Sequence, residues 1–158
     1  MCNEEVETWQ HAMQCTSIHM WRCRENSICN IKKELQTLKT NPILTEHIIG
    51  AIYAWVKGEI PTPPPLSFEP YVNEVRQAHL HQYEIGYDLF MKGILDVKWQ
   101  KNQERFISDQ KLGKQYNIKR WNKKVTELLL EHCVTCYKER CSIIAAEGKS
   151  DYEKQIRV

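Results

Sequence analysis

Nowhere does this 158-residue chain approach the ~18 consecutive apolar residues that a membrane-spanning helix needs. The N-terminus lacks a charged flank followed by an apolar core, so no secretory signal peptide is expected. A glycine-rich phosphate loop, GxSxG and HExxH are missing. No Asp-Asp doublet is present to hold the two metal ions of a polymerase or nuclease. Glu4, Glu5, Glu7 and the scattered Asp residues show no pairing suited to general acid–base work. Strand-like alternation is nearly absent and no repeat of fixed period occurs. The expectation is an all-α chain that is not an enzyme and has no membrane partner.

What is present fits one ordinary domain with a real core. Hydrophobic residues make up 42% and charged residues 27%, a globular rather than a disordered composition. A net charge of only +2 makes any electrostatic footprint local. The odd count of seven cysteines, with no signal peptide, reads as reduced thiols or metal ligands and predicts an intracellular protein.

Apolar spacing predicts a helix over 25–39, with Ile28, Ile31, Leu35 and Leu38 on one face and Ser27 as its N-cap, stopped by Asn41-Pro42. A second runs over 44–56, capped by Thr45, with Ile48, Ile49, Ile52, Tyr53 and Val56 inward and Gly58 as its stop. Helical patterns follow over 71–90, with a stripe of Val75, Ala78 and Tyr83, and over 95–106, carrying Trp99, Gln103 and Phe106. Gly86 and Gly93 mark a bend or close packing between them. The last helix places Trp121, Val125, Leu128, Leu129, His132, Cys136, Ile143 and Ile144 inward. The predicted organisation is a Cys/His head with two helices (1–60), a proline-rich strap (61–69), a helical body (70–147) and a polar tail (148–158). The strap, Pro61-Thr62-Pro63-Pro64-Pro65, reads as a semi-rigid spacer or as a ligand for a proline-recognising domain.

Two constellations could carry chemistry. In the head, Cys2, His11 and Cys15 are zinc-ligand types, and His and Cys four apart on a helix share a face. His19 or Cys23 would supply a fourth ligand, because 11, 15, 19 and 23 continue that face. The alternative is a reduced, partly buried cysteine pair capping the first helix. Farther along, residues 111–124 hold six Lys or Arg and no Asp or Glu. Lys114, Lys119, Arg120, Lys123 and Lys124 offer phosphate contacts, and Tyr116 and Trp121 offer stacking surfaces for unpaired bases. The alternative is a solvated face with Trp121 in the core. A basic stretch feeding a helix N-terminus opposes the helix dipole, so something other than helix stability placed it there.

Two further groups read as structural. Cys133-Val134-Thr135-Cys136 falls inside a helix, where core packing outweighs redox catalysis. An enzymatic reading would need an acid–base or metal constellation assembled from distant residues, such as His79, His81, Glu84 and Asp88. The last three, at i, i+3 and i+7, could share a helical face.

Taken in order, a Cys-x8-His-x3-Cys knuckle, a helical pair ending in a Trp and the proline strap lead into Gly86-Tyr87-x2-Phe90-x2-Gly93. Trp99-x3-Gln103-x2-Phe106, Lys119-Arg120-Trp121 and Tyr137-x2-Arg140 follow. This order resembles the helical region that follows the reverse transcriptase domain in retrotransposon-like polyproteins. The likeness covers about residues 2–145, with departures. Cys2 matches the second cysteine of a knuckle that usually opens with Cys-x2-Cys, and Arg140-Cys141 stands where Arg-Asn is usual. The resemblance implies a knuckle of Cys2, His11 and Cys15 with zinc, and signature positions Trp99, Gln103, Trp121 and Tyr137 that pack rather than contact ligand. It also implies nucleic-acid-facing charges at Lys119 and Arg120, RNA or DNA as partner, and a reverse transcriptase as neighbouring domain. The expected role is accessory.

Overall fold

In a computed structural model, which describes residues 8–156 and the side chains of 8–146, the apolar patterns become seven helices and no strand among the described residues. They are α1 (Trp9–Gln14), α2 (Ile18–Thr37), α3 (Pro42–Val56), α4 (Pro70–Ile85), α5 (Tyr87–Met91), α6 (Val97–Asp109) and α7 (Ile118–Ile156). The all-α expectation is met. No helix among the described residues is long and apolar enough to cross a membrane.

Short polar side chains set most of the starts. Thr8 Oγ1 accepts from His11 N at 3.0 Å and Asp96 Oδ1 from Lys98 N at 2.8 Å, each satisfying a donor with no helical partner. Two expected caps are wrong. Ser17, not Ser27, caps α2, accepting from Met20 N at 3.3 Å, and the helix begins seven residues before the expected start. Asn41, not Thr45, caps α3, with Pro42 in the first turn where its missing N–H costs nothing. Asn41-Pro42 therefore opens α3, while α2 ends at Thr37 with Lys39 in the left-handed region at φ 54°. Gly58, at φ 74°, is the stop expected for α3.

Helix α3 is buried on most of its circumference, through Leu44, Ile48, Ile49, Ala51, Ile52, Trp55 and Val56. A helix apolar nearly all round belongs at the centre. It packs between an α2–α7 pair and an α4–α6 pair. Ile28, Ile31 and Leu35 from α2 meet Val125, Leu128, Leu129 and Cys136 from α7 in the same cluster that holds Val75, Ala78, Phe90 and Trp99. The head and the body thus share one core, and the strap does not divide them into separate packing units. Helix α7 runs unbroken through residue 147, so the expected boundary with a polar tail is not a helix end.

Three expected inward positions fail. Tyr83 is exposed because the buried stripe of α4 is Val75, Ala78, His79 and Gln82. Ile144 and Tyr137 are exposed, Tyr137 lying between the buried Cys136 and Arg140 of α7. Tyr137 is thus outside the buried core.

Candidate nucleic-acid interface

The basic segment folds as a tight turn leading into α7. Lys111 takes φ 48°, and Asn117 Oδ1 accepts from Arg120 N at 3.0 Å, capping the helix end that the positive charges oppose. Trp121, Val125 and Leu128 face the core, so the four charges of the first turns fall on two neighbouring columns, Lys119 with Lys123 and Arg120 with Lys124. Lys111, Lys114, Lys119, Arg120 and Lys123 are exposed and Lys124 is half-buried. Only Lys123 has a carboxylate in ion-pair range among the described residues, Glu127 Oε1 at 3.8 Å.

Trp121 is not a stacking surface. It is buried, and its Nε1 donates to Thr40 Oγ1 at 2.9 Å. Tyr116 is half-buried at the wall of a crevice of about 200 Å³, floored by Leu38, Ile107 and an edge of Trp121 and rimmed by Arg120, Gln115 and Asn117. The segment therefore brings Tyr116 and Arg120 to one apolar slot, with the lysines on the exposed columns and turn beside it.

The described members of the expected zinc set do not share one helical face. Cys2 lies outside the described residues. The shared face of 11, 15, 19 and 23 does not exist, because the helix breaks at Cys15, whose ψ of 130° is extended, and restarts at Ile18. His11 and Cys15 are buried at the end of α1, His19 is exposed, and Cys23 is half-buried one turn into α2. No group of three or more His, Cys, Asp or Glu side chains among the described residues is placed to hold a metal ion. The break is held instead by a guanidinium. Arg24, buried in the core, donates from Nη1 to Met13 O at 2.7 Å and from Nη2 to Cys15 O at 2.6 Å. A fixed positive charge facing Cys15 and Cys23 disfavours a dication there. Among the described residues, then, the expected ligand set is not assembled at the α1–α2 turn.

The polar core contains groups that apolar spacing does not reveal. Gln82 Oε1 accepts from Asp96 N at 2.8 Å and from Trp99 Nε1 at 3.1 Å, joining α4 to α6. Gln103 accepts from Asn41 N at 2.8 Å and donates to Lys39 O at 3.1 Å. Trp99, Gln103 and Trp121 are thus packing positions. His47 Nε2 lies 3.0 Å from His79 Nδ1, and the Tyr87 hydroxyl lies 2.6 Å from that same atom. Burial, then the neighbouring imidazole, lowers His47 to about 4.

The cluster of His79, His81, Glu84 and Asp88 is dispersed. Helix α4 stops at Gly86, so Asp88 leaves the face of His81 and Glu84 and instead accepts from Trp55 Nε1 at 2.8 Å. His81 lies against Lys98 Nζ at 2.5 Å. Ser27, the failed cap, lies inside α2 and its Oγ is 3.0 Å from His132 Nδ1, at a cleft of about 510 Å³ between α2 and α7. Burial, then Arg24, lowers His132 to about 4, and its other nitrogen faces the Cys136 thiol at 4.0 Å rather than a carboxylate. So weak a base with no orienting acid is poorly suited to activate a serine. Burial also raises the Cys133 thiol to about 11 and Cys136 to about 12, opposite to a redox CxxC, and Cys133 Sγ donates to Met91 O at 3.2 Å. Core packing is what this CxxC does. Comparison with protein-family models, with curated proteins and with solved structures finds no match to this chain.

Proposed function

We propose that the protein is a non-catalytic helical accessory module that binds single-stranded RNA or DNA without sequence preference. The interface is Lys111, Lys114, Lys119, Arg120, Lys123 and Lys124, with Tyr116. The observation that carries this reading is local. Six cations sit together with one weak, exposed ion pair among them, at the helix end where a positive charge is least favoured. Charges without internal partners are available to phosphates, and release of phosphate counterions would supply most of the affinity. A slot walled by Tyr116 beside the Arg120 guanidinium would take an unpaired base by stacking, which every base allows. The motif order resembling the region after a retroelement reverse transcriptase supports the same ligand and places a polymerase domain as the natural neighbour.

The test is fluorescence anisotropy of labelled single-stranded RNA and DNA across a salt series. The comparison protein carries Lys119→Glu, Arg120→Glu, Lys123→Glu and Lys124→Glu. With about four phosphate contacts, log affinity should fall against log salt with a slope near −3, from about 0.7 per contact on single strands. The variant, checked for unchanged helical circular dichroism, should lose binding. Retained affinity with an unchanged salt slope would sink this interface.

A further inference from the structure

Residues 60–65 have almost no conformational choice. Proline fixes φ at 61, 63, 64 and 65, and a following proline confines Ile60, Thr62, Pro63 and Pro64 to extended backbone. The result is a polyproline helix with three residues per turn, and no helix, strand or turn interrupts 59–67. Its three edges differ. Pro61 is buried and Pro64 half-buried, and the Pro64 carbonyl accepts from Arg76 Nη1 at 2.5 Å. Just beyond, Asn73 clasps Ser67, accepting from Ser67 N at 3.2 Å and donating to Ser67 O. Of the other two edges, Thr62 with Pro65 is exposed, while on the third Pro63 is half-buried and Leu66 is exposed. Leu66 is 81% exposed, and Phe68, at the bend that follows, is fully exposed. An open recess of about 710 Å³ separates the strap from α3, leaving room for a partner to close around it.

We propose that this strap is a preformed docking ligand for a domain with a shallow, aromatic-walled groove and a basic rim. The missing N–H groups at four of six positions exclude addition to a sheet edge. The carbonyls of Thr62, Pro63 and Pro65 accept no hydrogen bond from the described residues and await indole or phenol donors. Glu59 and Glu69 flank the segment, and both are exposed, so an acid-rimmed groove would repel it. Pinning by Arg76 and Asn73 removes ordering cost from the encounter. The interface is independent of the basic segment on α7.

The experiment is isothermal titration of the whole protein into a panel of purified WW and Src-homology-3 modules, including some with basic groove rims. Saturable binding to a basic-rimmed module is expected, weakened at least about tenfold by Pro65→Ala with Leu66→Ala. Arg76→Ala, which keeps the strap sequence but frees its backbone, should weaken binding several-fold. Absence of binding across the panel, or affinity unmoved by the double substitution, overturns the proposal. Concentration-dependent mass in sedimentation that the double substitution abolishes would also overturn it, assigning the strap to a second copy of this chain.

Discussion

Two histidines are held uncharged, His132 in the core and His47 half-buried, and that sets how the fold responds to acid. His47 stacks on Trp99 with ring centroids 5.4 Å apart, and His132 is fully buried against Ser27. Each has its folded value lowered from 6.5 to about 4, chiefly by burial. Above pH 6.5 both states of the protein carry the neutral form and nothing is lost. As pH falls from 6.5 towards 4, the unfolded chain takes up protons that the folded one refuses, so stability drops across that window and levels off below it. Each site contributes at most about 3 kcal/mol to the drop. Urea midpoints measured from pH 7.5 to 4 should decline, and the slope should shrink in His132→Asn, whose amide can still reach Ser27. A flat profile would place both imidazoles in water. Arg24 makes a second case at this scale. Arg24→Met strips two carbonyls of their donors and should cost about 1–3 kcal/mol in urea, whereas a chelator should leave the melting temperature unchanged. A melting temperature lowered by chelator would restore a metal to the α1–α2 turn. Arg24, Gln82 and Gln103 occupy core positions that apolar periodicity never counts, which is why the sequence shows a Cys/His pattern at the head and conceals the guanidinium holding it.

Elements were legible wherever apolar spacing ran long, and their ends were not. Ile28, Ile31 and Leu35, or Trp121, Val125 and Leu128, announce a face that the fold uses. A cap is a local contest between neighbouring hydroxyls and amides, and residues such as Ser17 and Ser27 look alike until the buried face is seen to reach back to Met20. The break at Cys15 to Ser17 carries no glycine or proline, and its one mark is a serine that could equally lie within a helix, so the expected four-residue ladder of ligands ran straight through. Gly86 and Gly93 were readable as bend and contact. Gly93 shows why. It sits at φ 81°, its carbonyl accepts from Thr126 Oγ1 at 3.2 Å, and a Cβ there would lie 2.7 Å from Thr126 Cγ2. Gly93→Ala combines a left-handed backbone with a clash against α7 and should cost about 2–4 kcal/mol in denaturant unfolding. Pairing it with Thr126→Ser removes the methyl group and should recover part of the loss, leaving the backbone share. An unaltered midpoint in Gly93→Ala would show that α5 and α7 do not approach as closely as described.

At the scale of the whole molecule, the strap reads in sequence as a divider, yet the chain folds across it. Trp121 of α7 donates back to Thr40, Gln103 of α6 holds Lys39 and Asn41, and Trp55 of α3 donates forward to Asp88. Such long-range polar bonds are invisible to any pattern confined to one segment, which is why the predicted head and body looked separable. They also bury the two halves' apolar faces against each other, so neither half alone removes enough hydrocarbon from water to offset its chain entropy. The whole chain should therefore unfold in one transition. Far-ultraviolet circular dichroism, which follows all the helices, and tryptophan fluorescence, which follows Trp9, Trp21 and Trp55 on one side and Trp99 and Trp121 on the other, should give coincident curves in urea. A fragment of residues 61–158 should keep helix but lose near-ultraviolet dichroism and bind a hydrophobic dye, because α4, α6 and α7 would expose the surfaces that α2 and α3 cover. Non-coincident curves, or a fragment with sharp cooperative unfolding, would mean that the body folds by itself and that the bonds from Trp121 and Gln103 merely decorate a contact between two domains.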